Sequence, residues 1–164
     1  MRWSFFLLGD LPRGAHGPLQ RPSTRPGPAQ GPLVAIRTVY LVTTIAVDRR
    51  PLFAELTAAR QAIRALHSTR VAARATTLAF VVMPDHVHWL AQLHRGTLSD
   101  AVRLYKATVS VALGSRAWQR GFHDRALRRQ DDMRAVARYI VANPLRAGLV
   151  RDIGDYPHWD AGWL

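Results

Sequence analysis

The sequence contains no cysteine, and this absence excludes two kinds of structure. Disulfides cannot stabilise the fold, and thiolates cannot hold zinc or an iron–sulfur cluster. Any bound metal must therefore take ligands other than thiolates. Long hydrophobic runs are also missing, although 48% of the 164 residues are apolar. No stretch approaches the roughly 20 apolar residues that a membrane helix requires, which predicts a cytoplasmic protein without a membrane partner.

Acidic residues are scarce as well. Eleven Asp and Glu face 23 Lys and Arg, which gives a net charge of +12, and Lys106 is the single lysine. A GC-rich genome would explain arginine in place of lysine, but it does not explain the excess over acids. Residues 101–151 contain eleven basic and three acidic residues. An excess of this size favours polyanion partners, so this region is a predicted phosphate-binding face.

The first 32 residues differ in composition from the rest of the chain. They hold six of the ten prolines and five of the eleven glycines, with no hydrophobic period. Such a segment cannot bury enough apolar surface to offset its ordering entropy. The sequence therefore predicts a flexible arm over residues 1–32 and one folded domain over residues 33–164.

The hydrophobic periodicity of the domain predicts four strands and three helices. β-branched or apolar runs predict strands, and apolar residues at spacings of three and four predict helices. The predicted order is strand 38–47, helix 53–67, strand 76–83, strand 86–93, helix from Thr97 or Ser99 to 113, strand 122–127 and helix 131–142. This order predicts an α+β fold in which helices pack on an antiparallel sheet.

Two histidines flank a valine in the third predicted strand. Alternate side chains of a strand point to the same face, so His86 and His88 face one way and Val87 faces the core. Two adjacent imidazoles can chelate a divalent ion. The pattern is short, and two ordinary half-exposed histidines remain the alternative interpretation.

A tyrosine and an asparagine lie four residues apart near the end of the last predicted helix. This spacing places Tyr139 and Asn143 on one helix face. A tyrosine hydroxyl can attack phosphorus and form a covalent intermediate, and an amide oxygen can ligate a metal. The alternative is a surface aromatic residue followed by a helix-terminal residue before Pro144. Tyr105, beside Lys106 on a helix, is the rival nucleophile, although its apolar neighbours favour packing.

These segments together resemble a known family. MPDHVHWL (83–90) and RYIVANPLRAGLV (138–150) look like the two signature segments of the REP-associated tyrosine transposases, which are relatives of the insertion sequence 200-like single-tyrosine transposases. WQRGFHDRALR (118–128) looks like the intervening segment and YPHWDAGW (156–163) like the C-terminal end. The proline-rich stretch over residues 20–37 matches poorly.

The resemblance implies a fold, a metal site and a reaction. The fold would be the ferredoxin-like antiparallel sheet of the HUH nucleases, with helices packed on it. His86 and His88 match the metal-binding pair, Asn143 matches the polar residue that helps to bind Mg²⁺ or Mn²⁺, and Tyr139 matches the nucleophile. The implied reaction cleaves and rejoins hairpin single-stranded DNA through a 5′-phosphotyrosine. This family also implies a nucleoid-associated protein, with a monomer favoured over a homodimer.

Further expectations follow from charge and neighbourhood. We expect DNA contacts from five cations: Arg103, Lys106, Arg125, Arg128 and Arg146. His123 is a candidate for supporting the site or touching DNA, and a structural hydrogen bond is equally consistent with it. Two other functions remain open, namely a DNA-binding protein that has lost cleavage and a metal-dependent hydrolase that activates water.

Overall fold

The computed structural model describes residues 38–128 and 132–162. The predicted arm over residues 1–32 lies outside these described residues, as does the start of the predicted domain. The described part contains five strands: β1 (Val39–Ile45), β2 (Ala75–Met83), β3 (His86–Leu93), β4 (His123–Ala126) and β5 (Trp159–Ala161). Its α-helices are α1 (Leu56–Leu66), α2 (Thr69–Ala72), α3 (Leu98–Ala112), α4 (Met133–Val141) and α5 (Asn143–Arg146).

The five strands form one sheet in the order β4-β1-β3-β2-β5, and every neighbouring pair is antiparallel. Strand β3 lies at the centre because β1 pairs with one of its edges and β2 with the other. The predicted α+β fold with helices on an antiparallel sheet is confirmed. All four predicted strands form, with ends that shift by one or two residues.

The helices cover both faces of the sheet and divide the core in two. One core lies under α1 and α3 and contains Val42, Val87 and Trp89. The other lies under α4 and contains Leu41, Val81, Leu90 and the inward face of α4. The alternation of side chains along β1 and β3 produces this division, because successive residues enter opposite cores.

Side-chain caps determine where two of the helices begin. Thr97 caps α3, since its Oγ1 accepts a hydrogen bond from the backbone N–H of Asp100 at 3.1 Å. Asp132 caps α4 by accepting from the N–H groups of Arg134 and Ala135. These contacts satisfy amide donors that have no partner inside the helix. Thr97, not Ser99, is therefore the cap of α3.

Strand β5 was not predicted, and the last predicted helix ends before Asn143, which was expected to belong to it. Residues 159–161 form a strand because they pair with β2, for example Trp159 with Val81. A three-residue strand defined by so distant a partner has no local periodicity to reveal it. The predicted helix 131–142 is observed as α4 over 133–141, and Asn143 begins a separate short helix. None of the helices in the described residues has the length and apolar character needed to cross a bilayer.

The buried hydroxyl of Tyr105 provides a test of this core. Tyr105 lies on the inward face of α3 and is 0% exposed, and its hydroxyl has no hydrogen-bond partner among the described residues. Burial raises the pKa of Tyr105 far above its ordinary value, so this residue is a poor nucleophile on the face opposite the histidines. We expect Tyr105→Phe to leave the protein equally stable or up to about 1 kcal/mol more stable, because an unpaired buried hydroxyl is removed. Urea denaturation measures this difference, and a loss above about 1 kcal/mol would contradict it.

Candidate active site

His86 and His88 both point from β3 to the sheet face that α4 covers. Across the sheet, His86 pairs with Ile45 and Met83, and His88 pairs with Thr43 and Val81. The two histidines are 8% and 7% exposed. The intervening valine lies in the opposite core. The predicted alternation of the two histidines and the valine is therefore confirmed.

Each imidazole is held at its Nδ1 atom by a neighbouring oxygen. The Nδ1 atom of His86 lies 2.6 Å from Asp85 Oδ1, and that of His88 lies 2.8 Å from Thr43 Oγ1. Metal-ligating histidines commonly have their second nitrogen engaged in this way, because the contact fixes the ring orientation and the tautomer. With the proton on Nδ1, the lone pair of each Nε2 is available for a metal.

The two Nε2 atoms converge on one point. They lie 3.2 Å apart, and the ring planes are inclined by 83°. Two nitrogens that each bind a cation at about 2.1 Å would be separated by about 3.0 Å at a right angle and about 3.4 Å at a tetrahedral angle. The observed separation falls within this range, so the distance between the two nitrogens is compatible with a shared divalent ion.

The carboxylate of Asp85 is stabilised from two sides. It contacts the His86 ring, and its second oxygen lies 3.6 Å from the Arg49 guanidinium. Burial raises the pKa of Asp85, but the hydrogen bond to His86 and the charges of His86 and Arg49 outweigh this and lower its pKa overall. An ionised Asp85 accepts a hydrogen bond from the Nδ1–H group of His86, which leaves Nε2 as the atom that could bind a metal.

Burial also keeps His88 in the form that binds metal. Desolvation lowers the pKa of His88 well below its ordinary value, and the charges of His86 and Arg146 lower it further. The imidazole is therefore neutral near neutral pH. Arg146 belongs to α5, which comes directly after the helix that packs on the histidine face of the sheet.

The tight turn before β3 is tied to the rest of the domain by backbone hydrogen bonds. Ala46 donates to the carbonyl of Asp85 at 2.8 Å, and Phe53 donates to that of Pro84 at 2.9 Å. Near this turn, Asp48 and Arg49 both have left-handed backbones, with φ of 53° and 51°. Such geometry is unfavourable for residues with side chains and persists where surrounding contacts enforce it.

Tyr139 lies in the last turn of α4, and Asn143 begins α5. Pro144 has no N–H, so it cannot donate to the carbonyl of Ile140 as a continuing helix would. Instead, Nδ2 of Asn143 donates to that carbonyl at 2.8 Å. The prediction that Tyr139 and Asn143 share one continuous helix was wrong for this reason. The amide is nevertheless fixed beside the tyrosine helix and is 6% exposed.

Arg146 joins the two candidate residues on α4 and α5. Its guanidinium lies over the Tyr139 ring, 4.0 Å from the ring centroid. One terminal nitrogen donates to Oδ1 of Asn143 at 3.0 Å and also to the backbone carbonyl of Tyr139. Arg146 is half-buried, unlike the exposed Arg103 and Arg128.

Carboxylates contribute little to the candidate metal site. Within residues 38–128 and 132–162, no group of three or more His, Cys, Asp or Glu side chains is arranged to hold a metal ion. A third protein ligand would therefore have to be of another type, and the Asn143 amide oxygen is the candidate from the sequence. Neutral nitrogen and amide ligands of this kind suit Mg²⁺ weakly and Mn²⁺ better.

The five cations expected to touch DNA do not form one surface. Arg103 and Lys106 line a groove of about 460 Å³ between α3 and residues 116–122, together with Arg116 and Phe122. Since α3 covers the sheet face opposite the histidines, this groove is separate from the His86–His88 pair. Lys106 also donates to the backbone carbonyls of Gln119 and Gly121, at 2.6 and 2.7 Å, so it has a structural role as well.

The other expected contacts lie on or after strand β4. Arg125 is paired with Leu41, and His123 is paired with Thr43. Because directly paired residues point to the same face, both side chains project on the histidine side of the sheet. His123 is exposed at this edge, next to the threonine that orients His88. Arg128 follows the strand and is exposed.

Sequence reasoning missed two residues that orient the histidines. Asp85 was interpreted as a break between strands, although an acid immediately before a His-x-His strand is itself a signal for a partner of the first ring. Thr43 gave no such signal, because its role depends on the β1–β3 register. The register follows from long-range pairing, which a single sequence does not encode locally.

No family model matches the chain. Among solved structures, a putative transposase from Deinococcus radiodurans matches with a TM-score of 0.50 and 15% identity, over 70% of this chain and 97% of that one. A REP-associated tyrosine transposase bound to a REP hairpin matches with a TM-score of 0.62 and 26% identity, over 80% of this chain and 81% of that one. The chain therefore has the fold of the small transposases.

Curated proteins give a narrower assignment. The REP-associated tyrosine transposase of Escherichia coli K12 is 34% identical over 82 residues, which are 48% of this chain and 50% of that protein. A putative REP-associated tyrosine transposase of Haemophilus influenzae is 26% identical over 99 residues, or 50% and 56% of the two chains. The chain spans about half the length of these relatives. The predicted resemblance is confirmed, since the chain is similar to REP-associated tyrosine transposases over about half of its length.

Two neighbouring threonines provide a matched test of the histidine environment. Thr43 contacts His88, whereas the adjacent Thr44 is equally buried and its hydroxyl has no partner among the described residues. We expect Thr43→Val to destabilise the protein by about 1–3 kcal/mol, because it leaves the buried Nδ1 of His88 unpaired. Thr44→Val should be neutral or stabilising by up to about 1 kcal/mol.

Chemical denaturation of the two variants measures the difference, and histidine ¹⁵N NMR reports the tautomer of His88. Equal stability of the two valine variants, with an unchanged His88 spectrum, would contradict the assigned role of Thr43.

Proposed function

We propose that this protein is a divalent-metal-dependent enzyme that nicks and rejoins hairpin single-stranded DNA through a tyrosine. The observation that carries the proposal is the convergence of the His86 and His88 Nε2 atoms, 3.2 Å apart, on the sheet face beneath the helix that bears Tyr139. The relationship to REP-associated tyrosine transposases supports it. One solved relative is bound to a REP hairpin, which makes a hairpin of this type the first substrate to test.

The proposed metal site uses His86, His88 and the amide oxygen of Asn143. A bound Mg²⁺ or Mn²⁺ ion would polarise the scissile phosphate there. Oδ1 of Asn143 accepts one hydrogen bond from Arg146 and retains a second lone pair for a metal. Asp85 and Thr43 hold the two imidazoles so that their Nε2 atoms stay directed at the same point.

The proposed nucleophile is the phenolic oxygen of Tyr139. It attacks phosphorus in line with the bond to the 3′ oxygen, and the phosphorus–oxygen bond to that 3′ oxygen breaks. The proton that the tyrosine loses is balanced by the proton that the departing 3′ oxygen gains, and the products are a 5′-phosphotyrosine and a free 3′-OH. Because the phosphodiester energy is retained in the new linkage, attack by a second 3′-OH rejoins the strands.

The arrangement of the candidate residues supports a monomeric active unit. The helix that bears Tyr139 packs through Val136, Ala137 and Ile140 on the sheet of its own chain. Arg146, which contacts Tyr139, also exerts its charge on His88 of the same chain. We therefore propose that one chain supplies every residue of the site and that it acts on DNA at the nucleoid.

Loss of the phenolic oxygen should abolish covalent attachment to DNA. We expect wild-type protein, incubated with labelled hairpin DNA from the flanks of its gene and Mn²⁺, to give a covalent band on a denaturing gel. Tyr139→Phe and a chelator should each remove this band. Tyr105→Phe is the matched control, since this tyrosine is buried on the other side of the sheet, and it should keep the band.

Two results would overturn the proposed chemistry. A native gel shift without any covalent band, across Mg²⁺, Mn²⁺ and several hairpins, would indicate a DNA-binding protein that has lost cleavage. Cleavage that persists in Tyr139→Phe and disappears in His86→Ala would indicate a hydrolase that activates water.

The groove along α3 is the proposed contact for the DNA backbone outside the site. Arg103, Lys106 and Arg116 line it, and the Arg103–Asp100 contact of 3.4 Å is exposed and therefore weak. We expect Arg103→Met to weaken hairpin binding similarly for all sequences and to lower the slope of log affinity against log salt by about one.

Fluorescence anisotropy at several salt concentrations measures both quantities. Arg60→Met is the matched control, because Arg60 is an exposed residue of α1 and does not line the groove. Equal effects of the two variants would show that overall charge, rather than the groove, determines affinity.

A further inference from the structure

The geometry points to Arg146 as a positioning residue that holds the Tyr139 ring and the Asn143 amide in a fixed relation to each other. This inference rests on the proposed function. Charge alone suggested that Arg146 would touch DNA, but the structure gives it three contacts inside the candidate site.

The contacts of Arg146 begin with the break between α4 and α5. The carbonyls in the last turn of a helix have no partner within that helix. Pro144 removes one backbone donor that would have continued the ladder. The Arg146 guanidinium supplies a donor to one of these carbonyls, that of Tyr139, from two turns further along the chain. This contact ties α5 to the residue that carries the proposed nucleophile.

The same guanidinium orients the amide of Asn143. Nδ2 donates to the Ile140 carbonyl at 2.8 Å, and Oδ1 accepts from Arg146 at 3.0 Å. These two contacts together fix the orientation of the Asn143 amide, with Nδ2 towards Ile140 and Oδ1 towards Arg146. Without Arg146, rotation about the last side-chain bond is opposed by one hydrogen bond instead of two, so the oxygen is less strictly directed.

The third contact restrains the Tyr139 ring. A guanidinium 4.0 Å from the ring centroid is within the distance at which a cation attracts an aromatic face. A planar guanidinium can stack on the ring and donate sideways to two oxygens at once, whereas the ammonium group of lysine is a point charge. Arg146 thus holds the nucleophile, its backbone and the candidate metal ligand together.

The decisive test separates this role from DNA contact. We expect Arg146→Met to lower the rate of covalent adduct formation at saturating hairpin DNA by at least about tenfold, because small misplacements of reacting groups are costly. The hairpin affinity and its salt dependence should stay at the wild-type values. Arg138→Met is the matched control, since Arg138 is an exposed residue of α4 and carries the same charge.

A spectroscopic readout makes the test independent of catalysis. In protein labelled with 3-fluorotyrosine, the ¹⁹F resonance missing from Tyr139→Phe identifies Tyr139. We expect Arg146→Met to shift or sharpen this resonance in the metal-free protein, and Arg138→Met to leave it unchanged. If the wild-type protein forms no adduct, the proposed nuclease function fails, and the resonance still decides whether Arg146 restrains the ring.

The Arg146→Lys variant distinguishes the effect of the positive charge from that of the guanidinium shape. It also keeps the inference testable if Arg146→Met does not fold. We expect Arg146→Lys to give an adduct rate between those of wild type and Arg146→Met, because it keeps the charge and loses the bidentate shape. An Arg146→Lys rate equal to wild type would overturn the inference. An unchanged Tyr139 resonance in Arg146→Met would also overturn it. A third contrary result would be an Arg146→Met protein that binds the hairpin more weakly, with a lower salt slope, but forms the adduct at the wild-type rate at saturation.

Discussion

Strand β3 is hydrogen-bonded along both edges, by β1 and by β2, and the geometry of the candidate site depends on this double pairing. A strand paired on both sides cannot slip or rotate without breaking two ladders. His86 and His88 therefore face the α4 side with their spacing fixed, and Val87 anchors the strand in the opposite core. The same register brings Thr43 beside His88, so one set of backbone contacts orients both the ligands and their support.

The second constraint is the proline after Asn143. By ending the helix, it frees backbone carbonyls that side chains of the next turn then satisfy. Those side chains are the amide and the guanidinium that surround Tyr139. A continuous helix would place Asn143 on the same face as Tyr139, but its carbonyls would have no need of these donors. A local break in secondary structure thus produces a more fixed arrangement of side chains.

The features that depend on local sequence pattern were predicted correctly, and those that depend on pairing between distant segments were not. Alternation in 86–93 was enough to direct both histidines, and helical spacing was enough to find α1 and α3. Strand β5 was not predicted, because its extended conformation depends on pairing with β2. The role of Thr43 was not predicted for the same reason, since Thr43 and His88 are 45 positions apart in the sequence. Charge counts identified Arg146 as a cation but could not show that its neighbours are Tyr139 and Asn143.

The proposed donor set is consistent with the strongly basic character of the protein. His88 is held neutral by burial, the candidate third ligand is an amide, and the nearby Arg146 is positive. Such a site offers little negative charge of its own, whereas Mg²⁺ is usually bound through carboxylates together with substrate phosphates. In the proposed reaction the DNA phosphate supplies the missing charge, so the cation and the substrate stabilise each other's binding. The scarcity of acids among the candidate ligands therefore suits an enzyme whose substrate is itself an anion.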